Sequence, residues 1–266
     1  MWRHTRRGDK YVTVIIDLIA VRERTGPARL LDMVEGRSKQ AFRTWLAARP
    51  QAWRDAAEVV AMDRFTGFKT AATEQLPDAV TVMDPFHVVR LAGDALDQCR
   101  RRVQQALHGH RGRAGDPLYA ARRTLHTGAA LLTDKQKTRL RALFGVDEHV
   151  QVEVTWAVYQ QMVGAYRNPD RAAGKTALSK LIDTLPQGVP EVLVELRTLC
   201  RTLHRRAADV LAYVDRPSTS NGPTEAINGR LEHLRGSALG FRNLTEYIAR
   251  SLLETGGFRP RLHPHL

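Results

Sequence analysis

The stretch Tyr11-Val12-Thr13-Val14-Ile15-Ile16-Asp17 is β-branched, apolar on both faces, and stops at an aspartate. A run of that kind reads as a central strand covered on both sides, inside a layered α/β fold. The pattern recurs downstream. Glu58 to Met62 is a short apolar strand that stops at Asp63, and Val80-Thr81-Val82-Met83 stops at Asp84. A further strand is expected at Ala28 to Val34, after the Thr25-Gly26-Pro27 turn. Ser38 caps a helix that carries Ala41, Phe42, Trp45 and Leu46 and is ended by Pro50, and a second helix is expected from about Thr66 to Gln75.

Beyond residue 86 the period changes. Val88, Ala92, Ala95, Cys99, Val103 and Ala106 form one apolar stripe on a long basic helix. Helical patterns follow at about 117–128, 134–143, 147–166, 170–185 and 189–214, with breaks at Arg167-Asn168-Pro169 and Pro186-Gln187-Gly188. The loop Pro217 to Pro223 then leads into a helix, and another runs from Leu244 to Glu254. The expected organisation is an α/β core over 1–90, a helical insertion over 91–215, a return to the core over 216–256, and a loose tail over 257–266.

Composition narrows the class. Two cysteines, Cys99 and Cys200, exclude a disulfide framework and a four-cysteine zinc site. No apolar run reaches the length of a membrane span, and the first residues do not read as a signal peptide, so a cytoplasmic protein without a membrane partner is expected. The net charge of +13 points to a polyanion. Residues 91–145 hold eleven basic and four acidic residues, more than half of that excess in about a fifth of the chain. Arg100, Arg101, Arg102, Arg111, Arg113, Arg122 and Arg123 are the candidate phosphate contacts, and scarce aromatics argue against base stacking. A solvated helix face is the plain alternative.

Asp17, Asp63 and Asp84 each sit where a strand stops. Strand ends on one side of an α/β sheet converge on a shared crevice, although a single aspartate there often only caps an element. Carboxylates placed together repel, so a cluster is tolerated chiefly around a divalent cation. Glu225 falls in the first turn of the late helix, with Asn228 and Glu232 on the same face. A Glu in that position also suits the helix dipole.

The combination of Gly8 to Leu18, Glu35-Gly36-Arg37-Ser38, Val60-Ala61-Met62-Asp63, Met83-Asp84-Pro85-Phe86-His87-Val88-Val89 and Ser220-Asn221-Gly222-Pro223-Thr224-Glu225-Ala226-Ile227-Asn228-Gly229-Arg230-Leu231 resembles the ISL-three family of bacterial DDE transposases. The resemblance runs from about residue 2 to 256. It implies an RNase H-like fold with a five-stranded mixed sheet, flanking helices and a large all-helical insertion. It also implies an acidic triad holding two Mg²⁺ ions and cutting and joining DNA by phosphoryl transfer. Asp63 matches the second family acid and Glu225 the third, so both are the expected catalytic and metal-binding residues. Asp84-x-x-His87 matches a secondary motif, whose His supports the site, contacts DNA, or is a hydrogen-bonded histidine at a strand-to-helix corner.

The first family acid lies just upstream of the segment that begins here at Trp2-Arg3-His4. The resemblance therefore implies a first strand cut short, and a chain inactive in isolation. Neither Asp9 nor Asp17 is expected to replace that acid. The competing reading is a non-catalytic DNA-binding or transposase-binding inhibitor or relic. DNA, a second copy of the chain and full-length transposase are the implied partners, in a bacterial cytoplasm at the nucleoid. Gly174-Lys175-Thr176 is not a phosphate loop, because Pro169 stands where its first Gly belongs. His263 and His265 are expected in the tail, and Cys99, Cys200, Trp45 and Trp156 in the core, with a DNA-facing pocket in the insertion as the alternative for Trp156.

Overall fold

The computed structural model describes residues 11–63 and 65–258. The Asp9 position, the His263-Pro264-His265 cluster and the tail from residue 259 lie outside the described residues. The fold is mixed α/β and mostly helical, with small sheets.

Strand β1 (Val12–Asp17) passes through one helical turn, α1 (Ile19–Arg22), into β2 (Arg29–Glu35), and the two strands pair antiparallel. Their register shifts after Ile15, which faces Asp32, because Ile16 faces Leu30. Leu31 is the extra residue of this β-bulge. The bulge puts Val14, Met33, Ile16 and Leu30 on one face, which packs with Ile227, Leu231 and Tyr247. Ile15 and Val34 pack on Phe42, Trp45 and Leu46 instead. The hairpin is thus covered on both sides, as its two-faced apolar pattern requires.

Helix α2 (Lys39–Ala47) starts at Ser38, whose Oγ accepts the Ala41 N–H at 3.0 Å. Trp45 Nε1–H donates to Asp32 Oδ2 at 2.7 Å, which fastens α2 to the hairpin. Pro50 ends α2 and also opens a short helix that the sequence pattern omits, α3 (Gln51–Asp55). Strand β3 (Val59–Met62), helix α4 (Thr66–Gln75) and strand β4 (Val80–Met83) form a parallel crossover, in register from Val59 opposite Val80 to Met62 opposite Met83. Among the described residues there are four strands in two separate ladders, β1–β2 and β3–β4, and not one five-stranded sheet. Ile15, Val34 and Val60 share one apolar cluster, so side-chain packing joins the ladders where hydrogen bonds do not.

Seven helices follow: α5 (Pro85–His108), α6 (Pro117–Leu125), α7 (Asp134–Phe144), α8 (Val150–Arg167), α9 (Arg171–Gly188), α10 (Val194–Arg205) and α11 (Ala207–Asp215). Two corrections concern their ends. The break expected at Pro186 falls inside the last turn of α9, which ends two residues later at Gly188. The pattern over 189–214 is two helices, parted at Arg206, which is 4 % exposed and paired with Asp209. The chain closes with α12 (Gly222–Ser237) and α13 (Leu244–Thr255). No helix among the described residues is long and apolar enough to cross a membrane.

The chain divides into two compact units. The first takes the described residues up to Asp84 and from Arg216 onward; the second is Pro85–Asp215. In the second, the stripe of Val88, Ala92, Ala95, Cys99 and Val103 is buried, as are Met162 of α8, Leu178 of α9 and Leu196 of α10. Arg102 ties three helices: Glu195 accepts from it twice, at 2.8 and 2.9 Å, and Gln151 accepts at 2.8 Å. Asp97 accepts from Arg100 at 3.1 and 3.2 Å and from Arg101 at 3.1 Å, with His126 Nε2 3.5 Å away. The hydrogen bond from His126, assisted by Arg100, lowers the Asp97 carboxyl from 3.8 to about 2.

Two stability outcomes follow. Leu46, 1 % exposed, fills the first unit's core, and Leu46→Ala is expected to destabilise it by about 2–5 kcal/mol in urea denaturation. Leu239→Ala, at a nearly fully exposed position, is expected to change stability by less than about 0.5 kcal/mol. A folded-state carboxyl held below its unfolded value stabilises the fold above that value and loses the contribution as pH falls. The deficit of Asp97→Asn is therefore expected to be full above pH 3.8 and to narrow towards pH 2. A deficit independent of pH in that window would refute the pairing.

Candidate active site

The acids at the strand ends are committed to different degrees. Asp17 Oδ1 accepts the Ile19 N–H at 2.8 Å, and its Oδ2 accepts from Arg29 at 2.9 Å. It caps α1 and pins the hairpin. Asp63 and Asp84 follow Met62 and Met83, the last paired residues of two parallel strands, so they leave the ladder side by side. The Asp84 N–H continues the ladder by donating to the Met62 carbonyl at 3.2 Å.

Asp63 Oδ1 accepts the Phe65 N–H at 2.8 Å, and its Oδ2 pairs with Arg37 Nη2 at 2.9 Å. Its side chain keeps 20 % of its surface exposed. The motif Glu35-Gly36-Arg37-Ser38 explains where Arg37 comes from: Gly36, at φ +90°, turns the chain out of β2 and delivers Arg37 to Asp63. Arg37 was visible within the family-like stretch, but nothing in its spacing showed that it would reach an acid 26 residues on.

Asp84 is 2 % exposed, and its Oδ2 accepts the Asn221 backbone N–H. Asn221 is the N-cap position of α12, with no side-chain cap of its own. Asp84 thus supplies from another part of the chain the acceptor that a helix start needs. The turn before it is tightly set: Ser218 has φ +63°, and the buried Thr219 hydroxyl donates to the Arg216 carbonyl. Four residues after Asn221 stands Glu225, exposed in the first turn, its carboxylate without a partner among the described residues. On the same helix face Asn228 is half-buried, and Glu232 is held below the usual carboxyl range by its hydrogen bond from Arg235, 2.7 Å away.

The structure therefore brings Asp63 and Asp84 to one strand end and ties the start of the Glu225 helix to Asp84. It does not gather a ligand set: among the described residues no three His, Cys, Asp or Glu side chains lie close enough to hold a metal ion. His87, the other half of the Asp84-x-x-His87 motif, lies half-buried in the first turn of α5, its ring edge-on to exposed Phe86 at 5.6 Å.

The basic residues separate into two groups. Arg100 is 3 % exposed, bound to Asp97 and Gln104, and Arg102 is held by Glu195 and Gln151. Arg101, Arg111, Arg113 and Arg123 reach solvent, and Arg122 lies over the Tyr119 ring at 4.1 Å. Helix geometry explains the split. Consecutive residues point about 100° apart, so Arg100-Arg101-Arg102 cannot share a face. Arg100 falls four residues after Leu96 and three before Val103, on the buried side.

Comparison with known proteins completes the picture. A family of transposases, the DDE type of the ISL-three group, matches residues 3–251. The transposase for insertion sequence element IS1557, in two strains of Mycobacterium tuberculosis, is 27% identical over 286 aligned residues, which cover 98% of this chain and 61% of each relative. The chain thus spans about three-fifths of the length of these curated relatives. No solved structure matches it. The matched range includes the positions of Asp63, Asp84 and Glu225. The chain belongs to the ISL-three family of DDE transposases.

Proposed function

We propose that the chain is the catalytic portion of a DNA transposase, with its first unit an RNase H-like core and with Asp63 and Glu225 facing the scissile phosphodiester. The observation that carries this reading is the hydrogen bond from Asn221 to Asp84, which starts the Glu225 helix at the end of β4, beside the strand that ends in Asp63. The family implies a divalent metal. Two carboxylates, one unpartnered and one on an exposed ion pair, are hard oxygen donors of the kind Mg²⁺ takes together with substrate phosphates. Bound there, Mg²⁺ would stabilise the attacking and leaving oxygens of phosphoryl transfer.

The chain's own groups have separable roles. Asp84 orients the start of α12. Arg37 neutralises Asp63 until a cation takes its place. A subset of the exposed arginines of the second unit carries DNA phosphates. A second copy of the chain or full-length transposase completes the proposed set of partners.

A second reading has its own support. Because no three His, Cys, Asp or Glu side chains come together among the described residues, the chain alone also suits a DNA-binding or transposase-binding inhibitor or relic. Both readings expect no strand transfer from the isolated chain, and they part on metal binding.

Mn²⁺ binding, followed by electron paramagnetic resonance on the full chain, tests the site. Weak binding that is lost in Asp63→Asn and in Glu225→Gln is expected from the catalytic reading. Binding indifferent to both substitutions favours the inhibitor. An exposed ion pair is worth ~0.2–1 kcal/mol, so Arg37→Ala is expected to tighten Mn²⁺ binding by up to about fivefold. An unchanged affinity would show that Arg37 does not compete for Asp63. Supercoiled DNA cut and joined by a Glu225→Gln variant would sink the assignment of Glu225.

A further inference from the structure

Within the second unit, α5, α6 and the Gly/Arg loop between them enclose a cleft of about 470 Å³. Arg100, Arg101, Arg111, Arg122 and Arg123 line it, against the single carboxylate of Asp97. That carboxylate is already shared between Arg100 and Arg101. Arg111 and Arg123 have no acidic partner among the described residues. Arg122 is aimed: its guanidinium lies over Tyr119 and donates to the Tyr119 carbonyl at 2.9 Å. The loop is pressed close at Gly112, where φ is +113° and a Cβ would meet Tyr119 at 2.7 Å.

Guanidinium groups converging on one concave site, with a single acid already engaged, leave a positive excess that an anion must answer. Their planar forks match phosphate oxygens. The Tyr119 face in the lining is covered by Arg122, and the other ring there, His126, has its Nε2 3.5 Å from Asp97, so no free tyrosine face is offered to a base. We propose that this cleft seats backbone phosphates of a DNA strand through Arg111, Arg122 and Arg123. Arg101 is held at its edge by Asp97, and buried Arg100 is a positioning residue that fixes Asp97. The proposal rests on the reading that the chain acts on DNA, and it goes further in assigning contact to one cleft in place of the whole basic insertion. Arg113, although on the same loop, does not line the cleft and is predicted to be dispensable.

Fluorescence anisotropy of the full chain with a short mixed-sequence duplex, across a salt series, tests this. Each phosphate contact contributes about 0.9 to the slope of log affinity against log salt. The double variant Arg111→Ala/Arg123→Ala is expected to lose roughly two contacts' worth of slope and at least about tenfold in affinity, with an unchanged melting temperature. Arg113→Ala is expected to match the parent protein, and Arg111→Lys/Arg123→Lys to retain most of the slope. If the parent binds DNA and the double Ala variant keeps its slope, the cleft is not the seat, while the wider reading stands. If the parent shows no salt-dependent DNA binding, the reading itself fails and the proposal with it. If inorganic phosphate at constant ionic strength displaces the duplex as well as competing duplex does, the seat belongs to a small free anion and the DNA assignment is overturned.

Discussion

The two stretches of chain that make the first unit are joined by a part-buried hydrogen bond, from the Asn221 backbone N–H to Asp84. That unit is assembled from two stretches of chain with the entire second unit between them in sequence. Asp84 is the last residue of the first stretch, and Asn221 is the N-cap position of α12, the first helix of the second stretch among the described residues. A buried carboxyl without donors costs free energy, and so does a helix N-terminus without acceptors. Each group meets the other's need. The bond therefore fixes where α12 begins, and Glu225 stands in the first turn of that helix. Ile227 and Leu231, further along the same helix, then find the hairpin face that the Leu31 bulge has prepared.

The same reasoning separates acids that look equivalent in a strand-end list. Asp17 spends one oxygen on the α1 cap and the other on Arg29. Asp84 is buried and supports α12. Asp63 keeps part of its surface in solvent, and the group on its outer oxygen is a side chain that can leave. An incoming cation would have to displace only an exposed arginine there, whereas at Asp84 it would have to unfasten a helix.

How much of this was legible in the sequence follows the range of the forces involved. Local signals read true: the Ser38 cap, the apolar runs of β1 to β4, and the stripe along α5 all depend on neighbours within a few positions. The α3 turn was missed because Pro50 both ends one helix and permits the next, and the pattern alone shows only the ending. The family-like motifs pointed to Asp63, Asp84 and Glu225, but not to their states. Arg37 on Asp63 and Asn221 on Asp84 are long-range pairings, 26 and 137 residues apart, that no spacing rule encodes. The five-stranded sheet implied by resemblance is not what the described residues form: Ile15, Val34 and Val60 pack on one buried cluster, which joins ladders that backbone bonds leave separate.

The charge of +13 tempts one to see a uniformly sticky surface. The structure shows arginine in two distinct uses. Arg102 on Glu195, Arg206 on Asp209 and Arg171 on the carbonyls that end α11 hold the second unit together. Arg102 and Arg206 meet acids inside the fold, whereas Arg171 is exposed and donates to neutral carbonyls. What remains for a polyanion is the subset that lacks an acid. The scarcity of acids in residues 91–145 matters for that reason: with so few carboxylates, each one decides which arginines are structural. Asp97 claims two, Arg100 and Arg101, and stays ionised far into acid because His126 and Arg100 hold its carboxyl down. Arg111, Arg122 and Arg123, which it does not bind, line the same cleft. The position of one aspartate on α5 thus partitions a basic run that sequence alone presents as continuous.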